Sequence, residues 1–101
     1  MGMDYVWSGS ASYPRFHREL TDVAELFGGV GRIRYPWFVF PPETNDILVK
    51  WFNLPYEDFT VEETKILWEL ISAHPEIEEI SYQIWNELRT CVELETSWHI
   101  Y

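Results

Sequence analysis

Phe16, Leu20, Val23 and Phe27 recur at the spacing of one helical face, in a segment that opens with Ser12 and Pro14 and closes at Gly28-Gly29. Serine caps free N–H groups, proline fits a first turn, and glycine supplies a left-handed stop. The other face carries Arg15, Arg18, Glu19, Asp22 and Glu25, so one side packs and the other is solvated. A second apolar face, Ile47, Leu48, Trp51 and Phe52, lies between Pro42 and Asn53-Leu54-Pro55 and predicts a helix of about three turns, with Pro42 in its first turn. Thr60-Val61-Glu62-Glu63 has the form of a capping box, in which the Thr hydroxyl and the Glu side chain each accept from the other's backbone N–H. A third helix therefore starts at Thr60, buries Ile66, Leu67, Leu70 and Ile71, and stops at His74-Pro75, because the residue before a proline is pushed out of the helical region. Pro75 opens a fourth helix running to about Thr90, with Ile77, Ile80, Ile84 and Leu88 inside and Glu76, Glu78, Glu79, Gln83 and Glu87 largely elsewhere.

Three segments have the character of strands. Met3 to Ser8 is rich in β-branched and aromatic residues before the Gly9-Ser10 turn. From Arg32 to Phe40, Ile33, Tyr35, Trp37 and Val39 alternate with Arg34, Pro36, Phe38 and Phe40, and Pro36 places this strand at an edge or a bulge. Val92, Leu94, Thr96, Trp98 and Ile100 alternate with polar positions to the C-terminal Tyr101 and predict a half-buried strand. The order β-α-β-α-α-α-β predicts one α+β domain over residues 1–101: a small three-stranded sheet with helices packed on one face.

Composition adds aromatic weight and a charge asymmetry. Six Trp, six Tyr and six Phe in 101 residues exceed what an ordinary core of this size holds, so some rings are expected at the surface. The net charge is −10, and it is not spread evenly. Residues 1–40 hold four acids and four bases, whereas residues 41–101 hold 13 acids against Lys50, Lys65 and Arg89. Such a field repels phosphate backbones, so direct nucleic-acid binding is not expected, and the charge serves either a basic protein partner or solubility alone. The longest apolar run, Trp37 to Phe40, is far too short to cross a bilayer, and no basic segment followed by an apolar run marks the N-terminus. With Cys91 as its one cysteine the chain is expected in a reducing cytoplasm, away from membranes.

No catalytic pattern emerges. His17, His74 and His99 do not share a helical face and Cys91 is the one thiol, so no metal site is expected. Gly28-Gly29-Val30-Gly31 follows a helix and leads into a strand, the reverse of a phosphate-binding loop, and no cofactor is expected. Ser8, Ser10 and Ser12 belong to a turn and a helix cap, without a nucleophile elbow. What remains is carboxylates interleaved with large rings. The leading reading is a non-catalytic acidic protein that neutralises a basic partner, such as a nuclease or another nucleic-acid-acting protein, in the manner of immunity or counter-defence proteins. Glu57, Asp58, Glu62 and Glu63 supply the field, with Tyr56 and Phe59 as anchors. A second reading is a small enzyme or ligand-binding domain whose aromatic pocket is built from Tyr5, Trp7, Tyr35 and Trp37, with Arg32 and Arg34 holding an anion. The third is an accessory subunit or homodimer joined through an exposed edge strand.

Overall fold

In the computed structural model, which describes residues 2–31 and 37–100, the chain is mostly helical. Two three-residue strands, β1 (Gly2–Asp4) and β2 (Ser10–Ser12), precede α1 (Tyr13–Leu26), α2 (Asp46–Asn53), α3 (Val61–Ser72), α4 (Ile77–Ile80) and α5 (Tyr82–Glu93). The expected three-stranded sheet with helices on one face is not what forms. β1 and β2 pair antiparallel in register Gly2↔Ser12, Met3↔Ala11 and Asp4↔Ser10. A lone antiparallel bridge, Val30↔Val39, is the other pairing among the described residues.

Each departure has a local cause. The first strand stops at Asp4 because the next N–H groups turn away from any ladder: Val6 and Trp7 donate to the two carboxylate oxygens of Glu87 at 2.8 and 3.0 Å. Tyr5 N–H closes the loop onto the Gly9 carbonyl at 2.8 Å, so Ser10–Ser12, a turn by sequence, becomes the return strand. Of the expected strand Arg32–Phe40, residues 32–36 lie outside the described residues, and Val39 makes the bridge to Val30. At the C-terminus the expected strand is replaced by the end of α5 and an irregular tail. Val92 and Glu93 are helical, Leu94 is 61% exposed, and Trp98, which the alternation places on the same face, is fully buried.

The helices follow their sequence signals more closely. Ser12 Oγ accepts from Arg15 N–H at 3.3 Å to start α1, and the capping box of α3 is complete, with bonds of 3.0 and 3.1 Å between Thr60 and Glu63. α2 starts later than Pro42 suggests, because Asn45 Oδ1 accepts from Ile47 N–H at 2.8 Å. The helix expected from Pro75 to Thr90 is interrupted at Ser81, whose backbone is extended and whose hydroxyl caps α5 by accepting from Ile84 N–H at 3.3 Å.

α1 and α5 end in the same way. Gly28 donates to Glu25 and Gly29 to Ala24; Glu95 donates to Val92 and Thr96 to Cys91. Both pairs are the crossed bonds of a Schellman stop, which requires a left-handed residue. Gly28 (φ 80°) supplies it in α1, and Glu95 (φ 52°) adopts it in α5 despite its Cβ.

The buried side chains form one cluster spanning α1, α2, α3, α5 and the tail. Trp98 sits within it: its N–H donates to Thr64 Oγ1 at 3.1 Å, its carbonyl accepts from Phe59 N–H, and its ring meets Tyr5 and Trp51 edge-on or tilted. Trp51 continues to Phe52, on which Phe27, Phe38 and Phe40 converge. Trp68 of α3 meets Trp85 of α5 edge to face at 4.8 Å. Burying these rings, each worth several kcal/mol on the order-of-magnitude scale for aromatic side chains, replaces the expected sheet as the organising element. No helix among the described residues is long and apolar enough to cross a membrane.

Candidate partner interface

The segment joining α2 to α3 separates into side chains that hold the fold and side chains that face water. Phe59 is 1% exposed, with Lys50 Nζ 5.0 Å from its ring centroid, so this expected anchor belongs to the core. Tyr56 is half-buried: its ring packs against Phe16 and its hydroxyl lies 2.8 Å from His17 Nε2. Glu63 is committed to the capping box and to Lys50 at 3.6 Å. The Thr60 backbone N–H, more than any other group, holds its carboxyl below the usual carboxylate range. Glu57, Asp58 and Glu62 are exposed, without a cation within ion-pair distance among the described residues.

A second acidic surface forms where the chain turns from α3 into α5. α4 is short because it is stapled at both ends: Ile77 N–H bonds to the His74 carbonyl at 3.0 Å and Ser81 N–H to the Ile77 carbonyl at 2.8 Å. Ile77 is fully buried and Ile80 packs on the core, which turns Glu78 and Glu79 outward. Glu76 is exposed and lies 3.2 Å from His74 Nδ1, and Tyr82, just past the Ser81 break, is 58% exposed. This segment carries an exposed ring three and four residues along the chain from exposed carboxylates, which the Tyr56–Glu63 segment does not. The sequence signal for it is the serine within a run of helix formers, which sets Tyr82 outside the apolar stripe of Ile77, Ile80 and Ile84.

The cations do little to offset this charge. Arg15, Lys50, Lys65 and Arg89 lie 3.7, 3.6, 3.9 and 4.0 Å from Glu19, Glu63, Glu95 and Glu93; the last two pairs are exposed and of small energetic weight, whereas Glu19 and Glu63 are partly buried. Among the described residues, Glu57, Asp58, Glu62, Glu69, Glu78 and Glu79 are exposed and have no cation within ion-pair distance.

The residues of the expected aromatic pocket are dispersed in character. Tyr5 is 5% exposed, packed on Phe16 and Trp98, and its hydroxyl has no hydrogen-bond partner among the described residues; burial, then the charge of Glu19, pushes its ionisation well above the ordinary tyrosine value. Trp7 and Trp37 are 39% and 49% exposed. Arg32, Arg34 and Tyr35 lie outside the described residues.

Glu87 is the residue whose role the sequence conceals most. It is fully buried and gathers the N-terminal loop onto α5 together with Gln83, which donates to the carbonyls of Ser8 and Ser10 at 2.7 and 3.1 Å, and Asn86, which donates to Ser8 Oγ at 2.6 Å. Arg15 bonds to Gln83 and to the Ser10 carbonyl, closing the loop on its other side. Cys91, one turn along α5, is buried, and its thiol is pushed up to about 12 by desolvation and by Glu87. A thiol held protonated in this way is a poor nucleophile at neutral pH. Among the described residues no group of three His, Cys, Asp or Glu side chains gathers to hold a metal ion. Comparison of the chain with known protein families, with curated proteins and with solved structures returns no match.

Proposed function

We propose that this chain is a non-catalytic acidic binding protein that neutralises a basic, nucleic-acid-acting protein partner by covering its phosphate-binding surface. The observation that supports the reading is the set of exposed carboxylates at Glu57, Asp58, Glu62, Glu69, Glu78 and Glu79, which have no cation within ion-pair distance among the described residues, on a chain of net charge −10. Exposed carboxylates carry the charge that a basic groove selects in a phosphate backbone, and at long range they steer encounter. Tyr82, exposed and shortly after Glu78 and Glu79 in the chain, takes over the anchoring role given by sequence to Phe59. Rings of this kind, flanked by polar residues, contribute disproportionately to affinity.

The test is capture followed by inhibition. Immobilised protein is exposed to lysate of its source cells at low salt, eluted with a salt gradient, and each retained protein is assayed for nucleic-acid binding or cleavage with and without stoichiometric added protein. A basic partner whose activity is titrated to zero near one equivalent supports the proposal. Retention of only acidic or neutral proteins, or of basic proteins whose activity is unaffected, contradicts it.

A further inference from the structure

Between the β1–β2 loop and α1 the fold buries polar groups without pairing them. Tyr5 is held in the core by Phe16 and Trp98, and its hydroxyl bonds to no group among the described residues. Glu19, on α1, has one carboxylate oxygen, Oε1, that is buried and likewise unbonded there. Arg15 lies one turn earlier on the same helix, with its Nε buried and 3.7 Å from Glu19 Oε2, beyond hydrogen-bond reach. Local structure draws the three together. Glu19 shares a face of α1 with Phe16, three residues before it, on which the Tyr5 ring packs. Arg15 reaches the loop itself, donating to the Ser10 carbonyl at 3.1 Å. After burial, the charges of Glu19 and Arg15 act most strongly on the Tyr5 hydroxyl.

The three groups are complementary in kind. Tyr5 and Arg15 each offer a hydrogen, and Glu19 Oε1 accepts one. Buried polar groups of folded proteins are satisfied, and a polar separation above about 3.5 Å is one that a water spans. We infer that this niche is a binding site for an internal water molecule, which accepts from the Tyr5 hydroxyl and from Arg15 Nε–H and donates to Glu19 Oε1. Three bonds are about the usual number for a buried water. The donor and acceptor set selects this occupant: a metal ion is repelled by the guanidinium, an anion by the carboxylate, and an ammonium ion has no lone pair for the two donors. The water ties the loop to α1 on one side as Glu87 ties it to α5 on the other. It leaves only when the loop lifts from α1, so its residence time reports that opening.

Oxygen-17 relaxation dispersion of the full chain registers waters held for longer than the molecule takes to tumble. The parent is expected to show such a water, and Tyr5→Phe, which keeps the ring and removes the hydroxyl, to lose the amplitude of one. A Tyr5→Phe chain with the circular dichroism of the parent and an unchanged dispersion overturns the inference. A crystal structure of the parent tests the site without any variant. An ordered water within about 3.2 Å of Tyr5 Oη, Arg15 Nε and Glu19 Oε1 supports it, whereas a direct hydrogen bond from Tyr5 to Glu19 overturns it.

Discussion

A glutamate inside a run of surface-like acids is ordinarily solvated, yet Glu87 is fully buried with both carboxylate oxygens used by the Val6 and Trp7 N–H groups. Its removal leaves two backbone donors facing a cavity. Glu87→Ala is expected to lower unfolding free energy by about 2–4 kcal/mol, and Glu87→Gln, which keeps one acceptor oxygen, by less. Urea denaturation of the two variants measures this, and an alanine variant as stable as the parent would contradict the clamp. The alkaline limb of stability belongs to the same neighbourhood. The folded state holds the Cys91 proton from the ordinary 9.0 up to about 12, so it binds more protons than the unfolded chain across that interval. This contribution is intact below pH 9.0 and is lost as pH rises through the interval, with Tyr5 adding a loss of the same sign above its ordinary 10.0. Cys91→Ala should flatten the onset of that decline in a series of denaturation curves, and an unchanged pH profile would count against a protonated, buried thiol. Sequence could not disclose the setting of Glu87, because its burial depends on a loop 80 positions away.

The starts of α1 and α3 were legible, whereas those of α2 and α5 and the end of α5 were not. Ser12 and Thr60 cap α1 and α3 as their chemistry suggests, since a capping residue bonds within its own first turn and needs no tertiary partner. Gly28 marks the end of α1 for the same local reason. α5 closes with the same Schellman bonds, but with Glu95 in the left-handed position, so no glycine announces it and the alternation from Val92 to Ile100 passes for a strand. The strain is recoverable. Glu95→Gly is expected to raise stability by about 1 kcal/mol, since glycine adopts this conformation freely. The exposed pair with Lys65, 3.9 Å apart, is too weak to offset the gain. Thermal or urea denaturation checks the sign, and a destabilised variant would mean that Glu95 contributes through its side chain. The missing sheet has a related origin: extended segments 3–8 and 92–100 do have strand-like composition, but a carboxylate and an aromatic core claim their groups before a ladder can form.

For the whole molecule, the sequence conveyed the charge and its concentration after residue 40, because net charge needs no fold to be counted. It did not convey which carboxylates are free. Of the six residues assigned to partner contact, Tyr56, Phe59 and Glu63 are occupied by His17, the core and the α3 cap, leaving Glu57, Asp58 and Glu62. Glu78, Glu79 and Tyr82 form the surface with an exposed ring, since the break at Ser81 turns that ring outward. The most direct test is the association rate of the captured basic partner, followed across ionic strength for the parent and for a variant carrying Glu57→Lys, Asp58→Lys, Glu78→Lys and Glu79→Lys. These exposed sites spare the caps and the core. The parent's rate should fall steeply with salt, and the variant's should be at least about tenfold slower at low salt and nearly flat. Equal rates and equal salt slopes for the two proteins would contradict an acidic, charge-steered binding surface.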